Sequence, residues 1–118
     1  MSEAIKTVKA TITYPDFEKL DLRVGTVIEA SLPDWSTKLI RYSVDFGNDI
    51  GKRTLFSGIR KWYTPDDLIG KQYIFVINLE PKKMGDEESQ GMMIMTATEE
   101  RPVLQPLQIA VPNGSVLR

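Results

Sequence analysis

Two adjacent lysines, Lys82 and Lys83, sit in a polar stretch from Asn78 to Met92 that reads Asn-Leu-Glu-Pro-Lys-Lys-Met-Gly-Asp-Glu-Glu-Ser-Gln-Gly-Met. Ammonium groups of this kind bind phosphates and displace condensed counterions as they do so. Asn78, Ser89 and Gln90 add side chains that suit sugar hydroxyls and base edges. Apolar runs at Tyr73–Ile77 and Met92–Thr96 flank the stretch. A connection that only reverses the chain needs about half this length. The spacing therefore predicts a recognition loop between two strands. Taken alone, an exposed Lys-Lys pair is more often a solvated surface feature.

Composition narrows the chemistry further. The 118 residues include no cysteine and no histidine. Disulfides, thiolate metal sites, Ser-His-Asp triads and histidine-ligated zinc are all excluded. An enzyme would have to work with lysine and carboxylates, and no paired spacing of these supports one. Asp86-Glu87-Glu88 could be a magnesium site, but three successive acids read as a soluble turn, so no metal or other cofactor is expected. A formal charge of −1 and a pI near 5.5 argue against a surface that coats nucleic acid everywhere. Any such contact must be a local basic patch. No segment has the apolar length of a membrane span, and Met1–Lys6 lacks the core of a signal peptide, so a cytoplasmic protein is expected.

The elements that would position the loop read as strands at short intervals. Leu22–Ile28 is the first, with Gly25 expected to mark a bulge or bend. From Lys38 to Phe46 the pattern alternates, placing Ile40, Tyr42, Val44 and Phe46 on one face and Arg41, Ser43 and Asp45 on the other. Arg53–Ser57 returns as a third strand. A short helix follows: Thr64 caps it, Pro65 opens it, Asp66 and Asp67 complement its positive end, and Gly70 stops it. Lys71–Asn78 and Gly91–Ala97 supply the fourth and fifth strands. Five strands with one short helix between the third and fourth predict an all-β OB-fold barrel. An open five-stranded sheet of another topology is the alternative. One domain spans residues 1–118, with a core of about 17–100.

Tyr73–Ile77 and Met92–Met95 are apolar at consecutive positions, whereas a strand with one wet face alternates. Something outside the barrel must cover them. The candidates are the N-terminal segment Ile5–Phe17, the tail 101–118 and a second copy of the chain. A homodimer sealed by the two extensions is expected, with covering by the chain's own segments as the alternative.

The residues resemble a known family. Asp21-Leu22-Arg23-Val24-Gly25, Lys38-Leu39-Ile40, Val44-Asp45-Phe46-Gly47, Arg53-Thr54 and Ser57-Gly58-Ile59 are similar to successive signatures of the bacterial-type tRNA-binding domain. So are Tyr63-Thr64-Pro65, Leu68-Ile69-Gly70-Lys71, Asn78–Met84 and Ser89-Gln90-Gly91-Met92. This domain is found at the C-terminus of methionyl-tRNA synthetases and as freestanding dimers, and related domains form CsaA-type secretion chaperones. The resemblance runs from about Phe17 to Arg118, so the chain reads as the domain with almost nothing added. The ending Val111–Arg118 resembles the segment that helps freestanding members to dimerise.

The resemblance implies a non-catalytic, structure-specific and largely sequence-independent tRNA binder. Its implied partners are tRNA and a second copy of itself, with a methionyl-tRNA synthetase as a further candidate. The implied contacts are Lys38, Arg41, Arg53 and Ser57 on the second and third strands, with Asn78, Lys82, Lys83, Ser89, Gln90 and Met92 around the loop. Trp35 and Tyr42 could stack on bases, although Trp35 could equally plug the barrel end, and Met92 reads first as core. Arg60-Lys61-Trp62-Tyr63 reads as a packing connector with two exposed charges. In the family's loop few acids precede the serine. Here Asp86-Glu87-Glu88 should weaken phosphate binding unless those side chains point away. A CsaA-type peptide-binding chaperone is the alternative function, favoured by Val103-Leu104-Gln105-Pro106. Ser89-Gln90-Gly91-Met92 favours the synthetase branch.

Overall fold

The alternating segment before Phe46 becomes an inner barrel strand in the computed structural model, which describes residues 7–118. In chain order the elements are α1 (Tyr14–Glu18), β1 (Leu22–Ser31), β2 (Ile40–Asp45), β3 (Lys52–Ser57), α2 (Pro65–Leu68), β4 (Gln72–Val76), β5 (Lys82–Met84), β6 (Glu87–Ser89), β7 (Met92–Met93), β8 (Thr96–Ala97) and β9 (Pro102–Val103). The main sheet runs β3-β2-β1-β4-β7 with antiparallel neighbours. The gap from β7 back to β3 is spanned by the segment before β7. Gln90 N donates to Thr54 O at 2.9 Å, Thr54 N to Gln90 Oε1 at 2.9 Å, and Phe56 N to Ser89 Oγ at 3.0 Å. Those bonds use up the donors and acceptors of what would otherwise be a free edge. The result is the expected five-stranded, nearly closed OB barrel.

Ile40, Tyr42, Val44 and Phe46 all point inward and are at most 1% exposed. They meet Leu55 from β3 and Tyr73 and Phe75 from β4. Phe46 and Phe75 pack edge to face, 5.2 Å between centroids at 84°, the arrangement that ring quadrupoles prefer. A phenol this deep needs a hydrogen-bond partner, and Tyr42 Oη has Ser57 Oγ at 2.6 Å. Burial pushes the Tyr42 ionisation well above the ordinary tyrosine range. Tyr42 is therefore a core residue and presents no ring to a ligand.

The expected bulge is displaced. Gly25 pairs regularly with Tyr73, and the register on β2 slips between Val27 and Glu29 instead. Gly25 serves packing: a Cβ there would run into Val44 Cγ1 and lie 2.8 Å from Phe46 Cε1, inside the space that the core fills. The helix α2 forms as its residues predict. Asp67 Oδ2 accepts from Thr64 N at 2.8 Å, and Gly70 stands just past its end at φ +84°. Helix α1 is a short addition to the expected elements. Thr13 caps it and Pro15 lies in its first turn, a signal open to the same reading.

The fifth strand is shorter than Gly91–Ala97. Met93 pairs with Phe75 and Met92 with Val76, and Ile94 N donates to Ile74 O. One step on, Leu107 N takes Gln72 O, so the tail occupies the β4 edge that a longer fifth strand would need. Thr96–Ala97 turns away and pairs with β9.

The tail returns to β1. Gly114 N donates to Val24 O at 2.7 Å, Val24 N to Ser115 O at 2.9 Å and Leu117 N to Leu22 O at 3.0 Å. Asn113 Oδ1 accepts from Thr26 Oγ1 at 2.7 Å, and Arg23 bridges Asp21 Oδ1 (2.7 Å) and Gly114 O (3.2 Å). A tail too rich in proline for a central strand thus adds a short edge beyond its last proline. Between Tyr73 and Ile77, only Ile74 escapes burial, so the single chain covers most of β4. The N-terminal segment does not help: Val8 is 98% exposed, and Ile5 and Lys6 lie outside the described residues.

Candidate nucleic-acid interface

The stretch expected to be a loop is a β-hairpin. Lys82, Lys83 and Met84 pair with Ser89, Glu88 and Glu87. Gly85, at φ +61°, occupies the first turn position, where a type II′ turn needs positive φ. Polar loops and polar two-residue-turn hairpins share a composition, and the early glycine was the available signal. The hairpin projects Lys82 and Lys83 into solvent, while β6 lies against β3.

An ion pair pins it there. Arg41 Nε lies 2.9 and 3.0 Å from the two Glu87 carboxylate oxygens, and Arg41 Nη2 lies 2.8 Å from Oε1. The hydrogen bond from Arg41 to Glu87 is the main reason that the guanidinium holds its proton even more firmly than usual. Glu87 is thus held by Arg41, which it neutralises, while Asp86 and Glu88 line the same open cavity as Lys83. We predict that Glu87→Gln raises affinity for a polyanionic nucleic acid severalfold at low salt, because one negative charge is removed and one arginine is freed. Competition binding of wild type and variant checks this, and equal affinities would show that Arg41 does not touch the polyanion.

The other expected contacts divide into two groups. Arg53 Nη1 donates to Ile77 O at 2.6 Å and to Gln90 O at 3.4 Å, satisfying one carbonyl just after β4 and one between β6 and β7. Ser89 is 5% exposed, and with Gln90 it closes the barrel. Ser57 holds Tyr42. Asn78 stands apart from the hairpin: its Oδ1 accepts from Asp21 N at 2.9 Å and its Nδ2 donates to Lys19 O at 2.7 Å, tying α1 to the barrel. Lys38, Lys82 and Lys83 are exposed, and among the described residues they have no ion-pair partner. Of the three, Lys83 lines an open cavity of about 560 Å³, together with Thr54, Asp86, Glu87, Glu88 and Gln90. Met92 is 49% exposed while Met93 is 3% exposed, so the core methionine is Met93 and not Met92. Among the described residues no three acidic side chains converge as metal ligands.

The connector after β3 packs as expected with one change. Lys61 is exposed over the Trp62 ring, and Tyr63 Oη donates to Pro102 O at 2.9 Å. Arg60 instead donates to Ser36 O and tethers the β1–β2 loop. Glu87 and Arg60 are the residues that sequence reasoning missed, since each acts on a partner distant in the chain.

Residues 22–115 match the family model described as "Putative tRNA binding domain". Over 116 residues the chain is 39% identical to the methionine–tRNA ligase of Clostridium acetobutylicum, a match that covers 97% of this chain but only 18% of that enzyme. A methionyl-tRNA synthetase-related protein from Pyrococcus horikoshii superposes with a TM-score of 0.86 at 38% identity, covering 93% of this chain and 100% of that one. The chaperone CsaA from Bacillus anthracis superposes at 0.82 with 32% identity, covering 92% and 100%. The chain spans less than a fifth of the ligase, and no helix among the described residues is long and apolar enough to cross a membrane. A barrel closed by its own hairpin, with free lysines on that hairpin and a family match along almost all of its length, has one placement: this chain belongs to the tRNA-binding domain family.

Proposed function

We propose that the domain grips the phosphate backbone of folded tRNA with Lys82 and Lys83 on the hairpin and Lys38 below it. Arg41 and Arg53 shape the floor of the face, and Ser57, Ser89 and Gln90 hold its strands in place. The observation that carries this reading is the exposure of the hairpin lysines on a two-stranded arm within the family-matched region. No bond is made or broken. The domain would raise the effective concentration of tRNA for an aminoacylating enzyme, either as part of a methionyl-tRNA synthetase or beside one, in the cytoplasm.

A homodimer fits the same reading. Tyr14, Leu20 and Val116 are 62%, 46% and 54% exposed around a cavity of about 530 Å³ that also includes Phe17 and Leu117. Glu18, Lys19, Asp21, Asn78 and Arg118 complete this mixed rim, whose apolar part a second copy of the chain would cover. The same rim favours the second reading, a CsaA-type groove for unfolded peptide, which the likeness to that chaperone also supports. Titration with total tRNA at low and moderate salt separates the two. Binding that falls steeply with salt is expected. Absence of binding at low salt, with capture of unfolded polypeptide, would leave the chaperone reading.

A further inference from the structure

We infer that Trp35 is a stacking platform for one unpaired nucleobase of the bound RNA. This rests on the tRNA-binding reading above and adds to it a base contact where that reading has only phosphates.

Trp35 is 50% exposed, so it does not plug the barrel end. Its ring packs on Phe56, 5.8 Å between centroids at 47°, and against the hairpin turn. A Cβ at Gly85 would lie 2.9 Å from Trp35 Cε2, so the absence of a side chain at Gly85 lets the turn rest directly on the indole. Trp35 thereby joins the β1–β2 loop to the arm that carries Lys82 and Lys83. Lys38 lies in the same loop.

The loop is rigid. Pro33 is buried, Ser36 Oγ accepts from Lys38 N at 3.1 Å and Leu39 N at 3.2 Å, and Arg60 holds Ser36 O from below. Ser36 N closes the turn onto Pro33 O at 3.3 Å. An aromatic ring already fixed in place loses little freedom when a base lands on it. Flanking ammonium groups would hold the phosphates on either side of that base, the combination by which proteins bind single-stranded segments.

Charge argues for the same assignment. Asp34 precedes the indole, while Asp86 and Glu88 flank the hairpin lysines, and the whole chain carries −1. Those carboxylates reduce, without cancelling, the attraction of the hairpin lysines for phosphate. Stacking is indifferent to these carboxylates, because every base has a π-face and no charge is needed to use it.

The test uses Trp35→Phe, Trp35→Leu and Trp35→Ala with total tRNA, alongside Lys82→Ala/Lys83→Ala. Trp35→Ala and Trp35→Leu should weaken tRNA binding about tenfold, within the range for removal of one stacked base, and leave the salt dependence unchanged because no cation is removed. Trp35→Phe should retain most of the affinity. In a Trp62→Phe background the fluorescence of Trp35 should be quenched by a short oligoadenylate and unaffected by an abasic ribose-phosphate strand of equal length. Wild-type affinity in Trp35→Leu, or equal quenching by the abasic strand, would overturn the inference and reduce the indole to an apolar seat for the hairpin. If Lys82→Ala/Lys83→Ala abolishes tRNA binding while Trp35→Leu does not weaken it, only this inference fails. If the unaltered protein does not bind tRNA, the parent reading fails with it. Failure of Trp35→Ala to capture peptide, with tRNA binding intact, would also overturn it, in favour of a protein-docking ring.

Discussion

Replacing Gly114 by alanine is expected to unseat the C-terminal tail and to lower stability by about 2–4 kcal/mol. Part of that cost is backbone strain: Gly114 has φ +88°, where a side chain costs roughly 1–2 kcal/mol. The rest is steric. A Cβ at Gly114 would lie 2.5 Å from Phe46 O, and the backbones have little room to yield, because a Cβ at the facing Gly47 would likewise lie 2.7 Å from Asn113 O. Two glycines thus let the turn after β2 and the turn before the tail strand cross at backbone distance. Forcing them apart endangers the bonds between the tail and Leu22, Arg23, Val24 and Thr26. Urea unfolding measures the destabilisation as a lower midpoint at nearly constant slope, and hydrogen exchange should show the Val24 and Leu117 amides opening first. If the tail also carries half of a dimer interface, light scattering should register a shift toward the monomer mass. An unchanged midpoint would show that the crossing is looser than its geometry implies.

Lys82→Ala/Lys83→Ala should weaken tRNA binding by roughly ten- to a hundredfold near 0.1 M salt, with the fold intact. Removing one cation that neutralises a phosphate lowers the salt slope by about 0.7–0.9, so removing two should flatten it by about 1.4–1.8. The hairpin should survive, because both side chains are exposed, β6 is held to the barrel by Arg41 and Phe56, and the following Gln90 is held by Thr54. The effect should exceed simple removal of two charges, since Glu88, opposite Lys83, would then face the phosphates without a neighbouring cation. Lys61→Ala makes a fair control: that ammonium is exposed on the connector over Trp62 and should hardly change binding. Circular dichroism confirms folding, and a titration across salt gives the slopes. Equal slopes for wild type and the double variant would place the phosphate-binding surface elsewhere on the barrel.

The two predictions probe different layers, and the sequence was informative about them to different degrees. The inward face of β2 was legible because period-two burial writes itself directly into residue type. The cap and stop of α2 were legible because Thr64, Pro65, Asp67 and Gly70 each satisfy a local backbone demand. The β5–β6 hairpin was hidden because its strands are three residues each and mostly exposed, which leaves no apolar alternation to read. The slip on β1 fell away from Gly25, since that glycine answers to Val44 and Phe46 across the barrel rather than to its own strand.

The site shows the same division. That lysines at positions 82 and 83 would be available to an anion followed from residue type and a polar neighbourhood. The roles of the residues around them were decided only by the fold. Ser89 and Gln90 turned out to be closing groups because the barrel leaves the β3 edge without a strand partner there. Arg41 acquired a carboxylate because β6, packed beside β3, brings Glu87 within reach of it. Trp35 and Gly85 touch although many residues separate them in the chain. Sequence alone determines what each side chain can do and which local backbone shapes it permits. Only the tertiary structure decides which of those capacities is spent inside the protein and which remains for a ligand, because a buried edge or an opposing charge claims its partner by proximity, and proximity across a barrel is not written in linear spacing.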